Sequence, residues 1–297
     1  WWPESRAREG PVAEARVAII GGSGLYQMDG LSNVKEVSPA TPFGRPSDAI
    51  LLGELSGVPV AFLPRHGRGH RITPTELPVR ANIYALKTLG VERVVSISAV
   101  GSLKEEVHPL DLVVPDQLID RTRQRANTFF GDGLVAHISF ADPFCPDLSA
   151  ALAGTAAEIG ATVHRGGTYV VMEGPAFSTR AESLLYRSWG ASVIGMTALP
   201  EAKLAREAEM CYAILACATD YDCWHETEEA VSVEMVIANL SKNVATSKEI
   251  VRRLLTRLSP ERTCACASAL KSAMITDRSA IPAATKKRLT PLIGKYL

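Results

Sequence analysis

Three observations predict an α/β fold, organised as one domain around a buried parallel sheet. Short apolar runs typical of buried strands alternate with segments of helical periodicity. Several of these runs end in glycine, serine, threonine or aspartate, at the edge where open α/β sheets bind ligands. The 297 residues contain neither a repeat nor a linker. We therefore expect a flexible arm over residues 1–14 and a single domain over residues 15–297.

The composition argues against several classes of protein. Lysine plus arginine (32) equals aspartate plus glutamate (32), and the sequence pI is about 7.2, so neither nucleic acid nor a membrane surface is an expected partner. No apolar run approaches the roughly 18 residues of a membrane-spanning helix. The first residues are polar after Trp1 and Trp2 and lack the apolar segment of a signal peptide. We expect a soluble, cytoplasmic protein.

Two strands predicted in the first third of the chain end in glycine with a hydroxyl. The apolar run 16–20 leads into a glycine-rich turn, 21–24, that contains Ser23. The run 94–98 ends at Ser98, shortly before another glycine. Exposed backbone N–H groups and a hydroxyl bind anions, although the spacing fits neither a dinucleotide nor a P-loop motif. A tight turn without a ligand is the alternative.

A cationic loop follows a predicted hairpin. Residues 49–52 and 58–63 have the apolar pattern of two strands, and the second leads into residues 64–71. That loop interleaves arginine and histidine, including Arg65 and His66, with glycine. Arginine matches phosphate oxygens bidentately, so the loop favours an anion site over a solvated basic turn.

The remaining elements complete the alternation of helices and strands. The clearest helix is 232–258, in which apolar residues recur every three or four positions. The other predicted elements are a helix over 74–89, a strand over 112–120, a helix over 147–159, a strand over 169–172, a helix capped by Ser178, a strand over 193–197, a helix over 200–209, a strand over 212–217 and a last helix over 283–297.

Two carboxylates follow the most apolar strand. Residues 212–217 lead directly to Asp220 and Asp222. Paired acids at a strand end accept hydrogen bonds from a ligand N–H group, or donate a proton if one of them stays protonated. A solvated loop is the alternative for an isolated pair. Together with the anion sites, the pair points to a nucleoside and a separate anion.

The six cysteines predict no metal site. Cys264 and Cys266 form a C-x-C pair that is compatible with a redox disulfide or a metal ligand. The spacing of the other cysteines and of the histidines does not complete a zinc set. Reduced thiols are therefore the expected state.

Five motifs together resemble the 5′-methylthioadenosine phosphorylases, a branch of the trimeric purine nucleoside phosphorylase family. The resemblance covers residues 15–258 in one order. The motifs are GGSG at 21–24, PRHG at 64–67, MEGPAFS at 172–178, MT at 196–197 and ATDYDCW at 218–224.

The resemblance implies a fold, an activity and an assembly. The fold is a twisted mixed sheet, partly closed into a barrel and flanked by helices. The activity is phosphorolysis of methylthioadenosine to adenine and 5-methylthioribose 1-phosphate in purine and methionine salvage, with inorganic phosphate as co-substrate and no cofactor. A homotrimer is implied, and the C-x-C pair resembles one found in hexameric members.

Roles for individual residues follow from the same resemblance. Phosphate ligands would be Ser23, Arg65, His66, Ser98 and Thr197. Phe177 and Ser178 would line the base site, and Met196 the ribose. The 5′-methylthio group would be surrounded by His70, Val233, Val236 and Ile237, with His137 from a neighbouring subunit.

The two aspartates would perform the chemistry. Asp220 would hold a proton against N7 of adenine as general acid, and Asp222 would support it and recognise the 6-amino group. Protonating the leaving base and placing phosphate beneath C1′ both stabilise a transition state with a cationic sugar. A 6-oxo group would set an acceptor against an acceptor, at a cost of about 1–3 kcal/mol.

Three other functions stay open at this point. A phosphorylase for 6-oxopurine nucleosides or methylthioinosine would use the same scaffold, although Asp220 and Asp222 argue against it. A hydrolytic nucleosidase would need no phosphate site, which Arg65 and His66 argue against. A non-catalytic nucleotide-binding regulatory module would explain the glycine-rich turn but would leave the carboxylates unused.

Overall fold

The structure is a computed structural model that describes residues 14–22, 25, 28–226 and 231–297. The predicted flexible arm lies outside the described residues except for its last position.

In the described part of the chain, eleven strands form one sheet and six α-helices cover it. The strands are β1 (Val17–Gly21), β2 (Ser32–Val37), β3 (Ile50–Leu55), β4 (Val58–Pro64), β5 (Arg93–Ser102), β6 (Leu112–Val114), β7 (Gln117–Arg121), β8 (Val163–Arg165), β9 (Thr168–Met172), β10 (Val193–Gly195) and β11 (Cys211–Asp220). The helices are α1 (Val79–Thr88), α2 (Pro146–Glu158), α3 (Arg180–Ser188), α4 (Ala198–Glu207), α5 (Val233–Arg257) and α6 (Ala283–Ile293).

The sheet branches at β5. Its main order is β2-β3-β4-β1-β5-β10-β9-β7, while β11 pairs with β5 and with β6, and β6 pairs with β8. Strand β5 runs parallel to β1 and β11 but antiparallel to β10. The expected mixed sheet flanked by helices is therefore confirmed, and its closure into a partial barrel stays a prediction.

Apolar side chains alternate between two hydrophobic cores, one on each face of the sheet. In β11, Tyr212 and Ile214 belong to the core that includes α1, α4 and α6. Ala213 and Leu215 belong to the core beneath α2 and α5. A strand that is buried on both faces needs a continuous apolar run, which is why β11 stands out in the sequence.

Proline explains two corrections to the predicted elements. The helix expected over 74–89 begins only at Val79, because the residue before Pro78 is disfavoured in helical geometry. The strand expected over 112–120 is two strands, β6 and β7, separated by Pro115 and Asp116. Proline has no N–H to donate to a ladder, so it interrupts pairing.

Two short strands, β2 and β8, escaped prediction. Strand β2 is exposed along nearly its whole length, and its sequence SNVKEV has no buried face. Strand β8 has three residues. Neither presents a hydrophobic pattern from which a strand can be recognised.

Helix α3 is capped by Thr179 rather than by Ser178. The Thr179 hydroxyl accepts from the N–H of Glu182, and the Glu182 carboxylate accepts from the N–H of Thr179, which forms a capping box. The prediction that Ser178 caps this helix is therefore wrong by one residue. The Ser178 hydroxyl instead donates to the sulfur of Met172 at 3.8 Å.

We expect Thr179→Ala to lower the free energy of unfolding by about 1 kcal/mol, because the backbone N–H of Glu182 loses its acceptor. Ser178→Ala is the matched control and should leave stability nearly unchanged. Urea unfolding at one fixed protein concentration, followed by circular dichroism, measures both. Equal losses in the two variants would contradict the assignment of the cap.

Candidate active site

A bulge at the end of β11 positions the first carboxylate. Residues 211–218 of β11 pair with β5 in regular parallel register, and the register then shifts so that Asp220 lies opposite Gly101. A Cβ atom at Gly101 would lie 3.0 Å from Oδ1 of Asp220 and 3.2 Å from Cβ of Asp222. The bulge and the missing side chain together let both aspartates lie against the end of β5.

Asp220 is a buried carboxyl group held by two hydrogen bonds. Its Oδ1 accepts from the N–H of Asp222 at 2.8 Å, and its Oδ2 accepts from the hydroxyl of Thr219 at 2.7 Å. Burial raises the pKa of Asp220 to about 6, and these two hydrogen bonds oppose that shift. A carboxyl group with such a pKa exchanges a proton near neutral pH, as a general acid must.

The loop after β11 carries the second carboxylate and is fastened at several points. Asp222 is buried and adopts the left-handed conformation (φ 54°), which aspartate tolerates better than most residues. Burial also raises its pKa. The thiol of Cys223 donates to the carbonyl of Ser178 at 3.3 Å, and the indole N–H of Trp224 donates to that of Ser102 at 2.7 Å.

Arg65 is buried in an ion pair with Glu201. Its Nε donates to Oε1 of Glu201 at 2.6 Å, and both side chains are 2% exposed. Its other N–H groups donate to Ser96 Oγ and to the carbonyls of Ile97 and Ile20. Most of the guanidinium is therefore committed inside the protein, and its expected role as a phosphate ligand stays a prediction. Glu201 was not identified from the sequence.

His66 and His70 form a stacked pair, with ring centroids 4.2 Å apart. The Nδ1 atom of His66 lies 2.8 Å from the carbonyl oxygen of Ile72, so this nitrogen donates and Nε2 is directed elsewhere. Burial, together with the positive charge of Arg65, lowers the pKa of His66 to about 4. His66 is neutral at pH 7 in this arrangement.

Three buried hydroxyl groups cluster between β5, β9 and the start of α4. Oγ of Ser98 and the phenol oxygen of Tyr169 are buried without a hydrogen-bond partner among the described residues. Burial raises the pKa of Tyr169 to about 12, while the nearby hydroxyls of Ser98 and Thr197 oppose that shift. A buried hydroxyl without a hydrogen-bond partner lowers the stability of the protein. These hydroxyl groups would therefore gain from binding a ligand that offers several hydrogen-bond acceptors.

The segment expected to bind a base and a ribose lies beside the aspartates. Phe177 is 39% exposed, and Ser178 contacts the carboxylate loop through Cys223. Met196 packs against Gly174, where a Cβ atom would come within 2.5 Å of its sulfur. This contact keeps the Met196 side chain against the loop after β9.

Arg125 links the two strand ends that carry these residues. Its side chain is 3% exposed and lies 3.4 Å from Oε1 of Glu173. Nη1 donates to the carbonyls of Met196 and Leu199, and Nη2 donates to those of Met172 and Glu173. Sequence reasoning missed it, because one arginine in a loop rich in arginine carries no distinguishing signal.

The residues expected around a 5′ group are mostly exposed. Val233 and Ile237, on the first turns of α5, are 56% and 60% exposed, and Val236 is half-buried. The side-chain amide of Asn239 donates to the carbonyl of Thr219 at 2.7 Å, which holds this end of α5 against the bulge of β11.

One of the predicted residues stands apart from this arrangement. The backbone N–H of His137 donates to Ala273 at 2.8 Å, and its side chain is exposed, so its expected role in a neighbouring subunit stays a prediction. Ser23 lies outside the described residues. The structure thus brings together the two aspartates with Ser178, and Ser98 with Thr197.

A group with metal-binding geometry lies elsewhere in the described chain. The Sγ atoms of Cys145, Cys211, Cys264 and Cys266 all lie within 4.8 Å of one another. The expectation of no metal site stays a prediction, although the fold brings these four cysteines close enough together to share an ion. Two of these thiols, Cys145 and Cys211, are brought to the C-x-C pair only by folding.

Comparison with known proteins shows that the chain is similar to one kind of enzyme. Residues 16–256 match the model of the phosphorylase superfamily. The S-methyl-5′-thioadenosine phosphorylase of Geobacter sulfurreducens is 62% identical over 96% of this chain and 100% of its own length. That of Thermosynechococcus vestitus is 58% identical over 95% of this chain and 99% of its own.

Solved structures give the same result. A methylthioadenosine phosphorylase from an antarctic soil metagenomic library matches with a TM-score of 0.90 and 54% identity, over 94% of this chain and 99% of its own. The methylthioadenosine phosphorylase of Schistosoma mansoni, in complex with adenine, matches with a TM-score of 0.82 and 36% identity, over 88% of this chain and 99% of its own.

We expect Asp220 to titrate near pH 6, well above the usual pKa of an aspartate, because burial disfavours its charged form. Because the folded protein holds the Asp220 proton more tightly than the unfolded chain does, this group adds to the free energy of unfolding at low pH. That contribution is lost as the pH rises through about 6. Difference infrared spectroscopy of the wild type against Asp220→Asn measures the carboxylate signal directly. Titration below pH 5 would contradict the expected effect of burial.

Proposed function

Since this chain belongs to the phosphorylase superfamily, in its methylthioadenosine phosphorylase branch, we propose that it catalyses phosphorolysis of 5′-methylthioadenosine to adenine and 5-methylthioribose 1-phosphate. The observation that carries the chemistry is the buried carboxyl group of Asp220, with its raised pKa, at the end of β11. Burial supplies a proton donor where a purine nitrogen leaves as an anion.

Asp220 protonates N7 of the purine as the glycosidic bond breaks. Its carboxyl group is already oriented by Thr219 and by the N–H of Asp222, so little reorganisation is needed. Asp222 supports this group and accepts from the 6-amino group. Two carboxylates at this edge select a 6-amino over a 6-oxo purine, because an acceptor facing an acceptor leaves both groups unpaired.

Inorganic phosphate is the nucleophile and binds beneath the sugar. The unpartnered hydroxyl of Ser98 and the neighbouring hydroxyl of Thr197 supply donors, and Ser23 is proposed to join them. Arg65 contributes positive charge and the N–H of Nη1 that the carbonyl of Ile97 leaves unused. A phosphate dianion beside His66 raises the pKa of that imidazole, so the ring becomes a second donor only when phosphate is bound.

The proposed subsite for the methylthio group is apolar and lies at the start of α5, where Val233, Val236 and Ile237 form it together with His70. We propose that a neighbouring subunit completes this subsite with His137, in a homotrimer. Several large apolar side chains that are exposed support such an assembly, since exposed apolar surface is typical of protein–protein interfaces. They are Phe177, Leu184, Leu185, Trp189, Val233 and Ile237.

We also propose a cytoplasmic location and a role in purine and methionine salvage, because the two products return a free base and a phosphorylated sugar. Within the described ranges, none of the helices combines the length and the apolar character needed to cross a membrane.

The decisive experiment follows free adenine from methylthioadenosine with and without inorganic phosphate. We expect release only with phosphate. Asp220→Asn should lower kcat by roughly 10²–10⁴-fold, because the general acid is lost, and should favour 6-oxopurine nucleosides among the remaining substrates. Cys217→Ala, at a buried position of the same strand that faces α5, is the control and should keep wild-type turnover.

Adenine released without phosphate would show a hydrolase and remove the role given to Ser98 and Thr197. Wild-type turnover in Asp220→Asn would show that this carboxyl group is not the acid. No release in either condition from a folded sample would favour the inosine analogues or a binding module.

We expect Gly101→Ala to lower kcat/KM for methylthioadenosine at least tenfold, because the added methyl group would displace both aspartates. Gly154→Ala, in helix α2, is the matched control, since a Cβ atom there meets nothing within 4 Å. The control should keep full activity and gain about 0.5–1 kcal/mol of stability. Equal activities in the two variants would contradict the role of Gly101.

A further inference from the structure

Four thiols converge from three separate parts of the chain. Cys145 is the N-cap residue of α2, and Cys211 is the first residue of β11. Cys264 and Cys266 lie in the segment that follows α5, at a short 3-10 helix. Their Sγ atoms lie within 4.8 Å of one another, and three of the residues are buried while Cys264 is half-buried.

The separations suit one tetrahedral centre. Zinc binds thiolate sulfur at about 2.3 Å, so the sulfurs of a tetrahedral site lie about 3.8 Å apart. The sulfurs of Cys211 and Cys264 are 3.3 Å apart, and every other pair lies within 4.8 Å. A disulfide would require only two close sulfurs, whereas a metal centre requires that all four be close to one another.

Two arginines fasten the segment that carries the C-x-C pair. Arg93 lies opposite Cys211 in the β5–β11 register and donates to the carbonyls of Ser259 and Glu261. Arg262 donates to the carbonyl of Glu209, two residues before Cys211. These hydrogen bonds hold the segment beside the start of β11.

Cys145 lies at the N-terminus of α2, where the helix dipole stabilises the negative charge of a thiolate.

We propose that Cys145, Cys211, Cys264 and Cys266 form a tetrathiolate site for a single thiophilic divalent cation, with Zn²⁺ as the best fit. Binding converts four thiols into four thiolates and releases four protons to solvent, so the centre carries a net charge of −2. No redox change is involved. Tetrahedral S₄ coordination is typical of structural zinc and leaves no open position for a substrate.

The site is structural because it lies far from the carboxylates. Cys211 and Asp220 are the two ends of β11, about 30 Å apart at the usual rise of a strand. The metal joins the segment after α5 to the start of β11 and to α2. Cys264 and Cys266 also lie beyond residues 16–256, where the superfamily match ends.

The test is the metal content of the full-length protein, purified without chelator or added reductant. Elemental analysis should give about one zinc per chain, and the half-buried thiol of Cys264 should resist a thiol reagent until a chelator is added. Cobalt reconstitution should give the visible absorption of a tetrahedral thiolate complex. Protein purified without bound metal, or a mass that rises by 2 or 4 Da on reduction, would overturn the proposal.

One variant and its control distinguish loss of the metal site from loss of the fold. Cys264→Ser, at the half-buried position, should reduce bound zinc to a small fraction of the wild-type content and lower Tm. Cys217→Ser, the matched buried control on β11 outside the cluster, should keep one zinc per chain. Wild-type zinc content in Cys264→Ser would overturn the assignment. If this variant does not fold, the wild-type metal, thiol and cobalt measurements decide alone.

Discussion

The parallel pairing of β5 with β11 is the constraint on which the other features depend. It is the longest ladder in the described sheet, and both strands are buried on their two faces. Regular register fixes the start of β11 opposite Arg93, while the bulge at its end turns Asp220 against Gly101. One strand therefore carries a buried carboxyl group with a raised pKa at one end and a member of the cysteine cluster, Cys211, at the other.

Burial determines the ionisation of two groups near this ladder, the carboxyl group of Asp220 and the ion pair of Arg65 with Glu201. Asp220 loses solvation without gaining a cation, so its proton is retained to higher pH. Arg65 is buried as well, but Glu201 compensates its charge and a network with Ser96 and Tyr212 satisfies the carboxylate. A buried pair of this kind is costly to break from either side.

Most elements of the fold could be predicted from the sequence, because the signal for them is local. Helix α5 and strand β11 were recognisable because apolar periodicity reports directly which faces are buried. The exposed strand β2 and the cap at Thr179 were not recognised, since an exposed strand has no pattern and a cap depends on backbone geometry at one residue. Arg125 was missed because its partners are carbonyl groups, which every residue possesses.

The sequence by itself determined the α/β class, the family resemblance and the order of the polar residues that follow the strands. Only the tertiary structure decided which of those residues share an environment. It places the N–H of Asp222 and the hydroxyl of Thr219 on Asp220, commits Arg65 to Glu201, and assembles four cysteines that are up to 121 positions apart (266 − 145). The physical reason is that desolvation, charge pairing and ligand geometry depend on distances in space, whereas periodicity and motifs depend on distances along the chain.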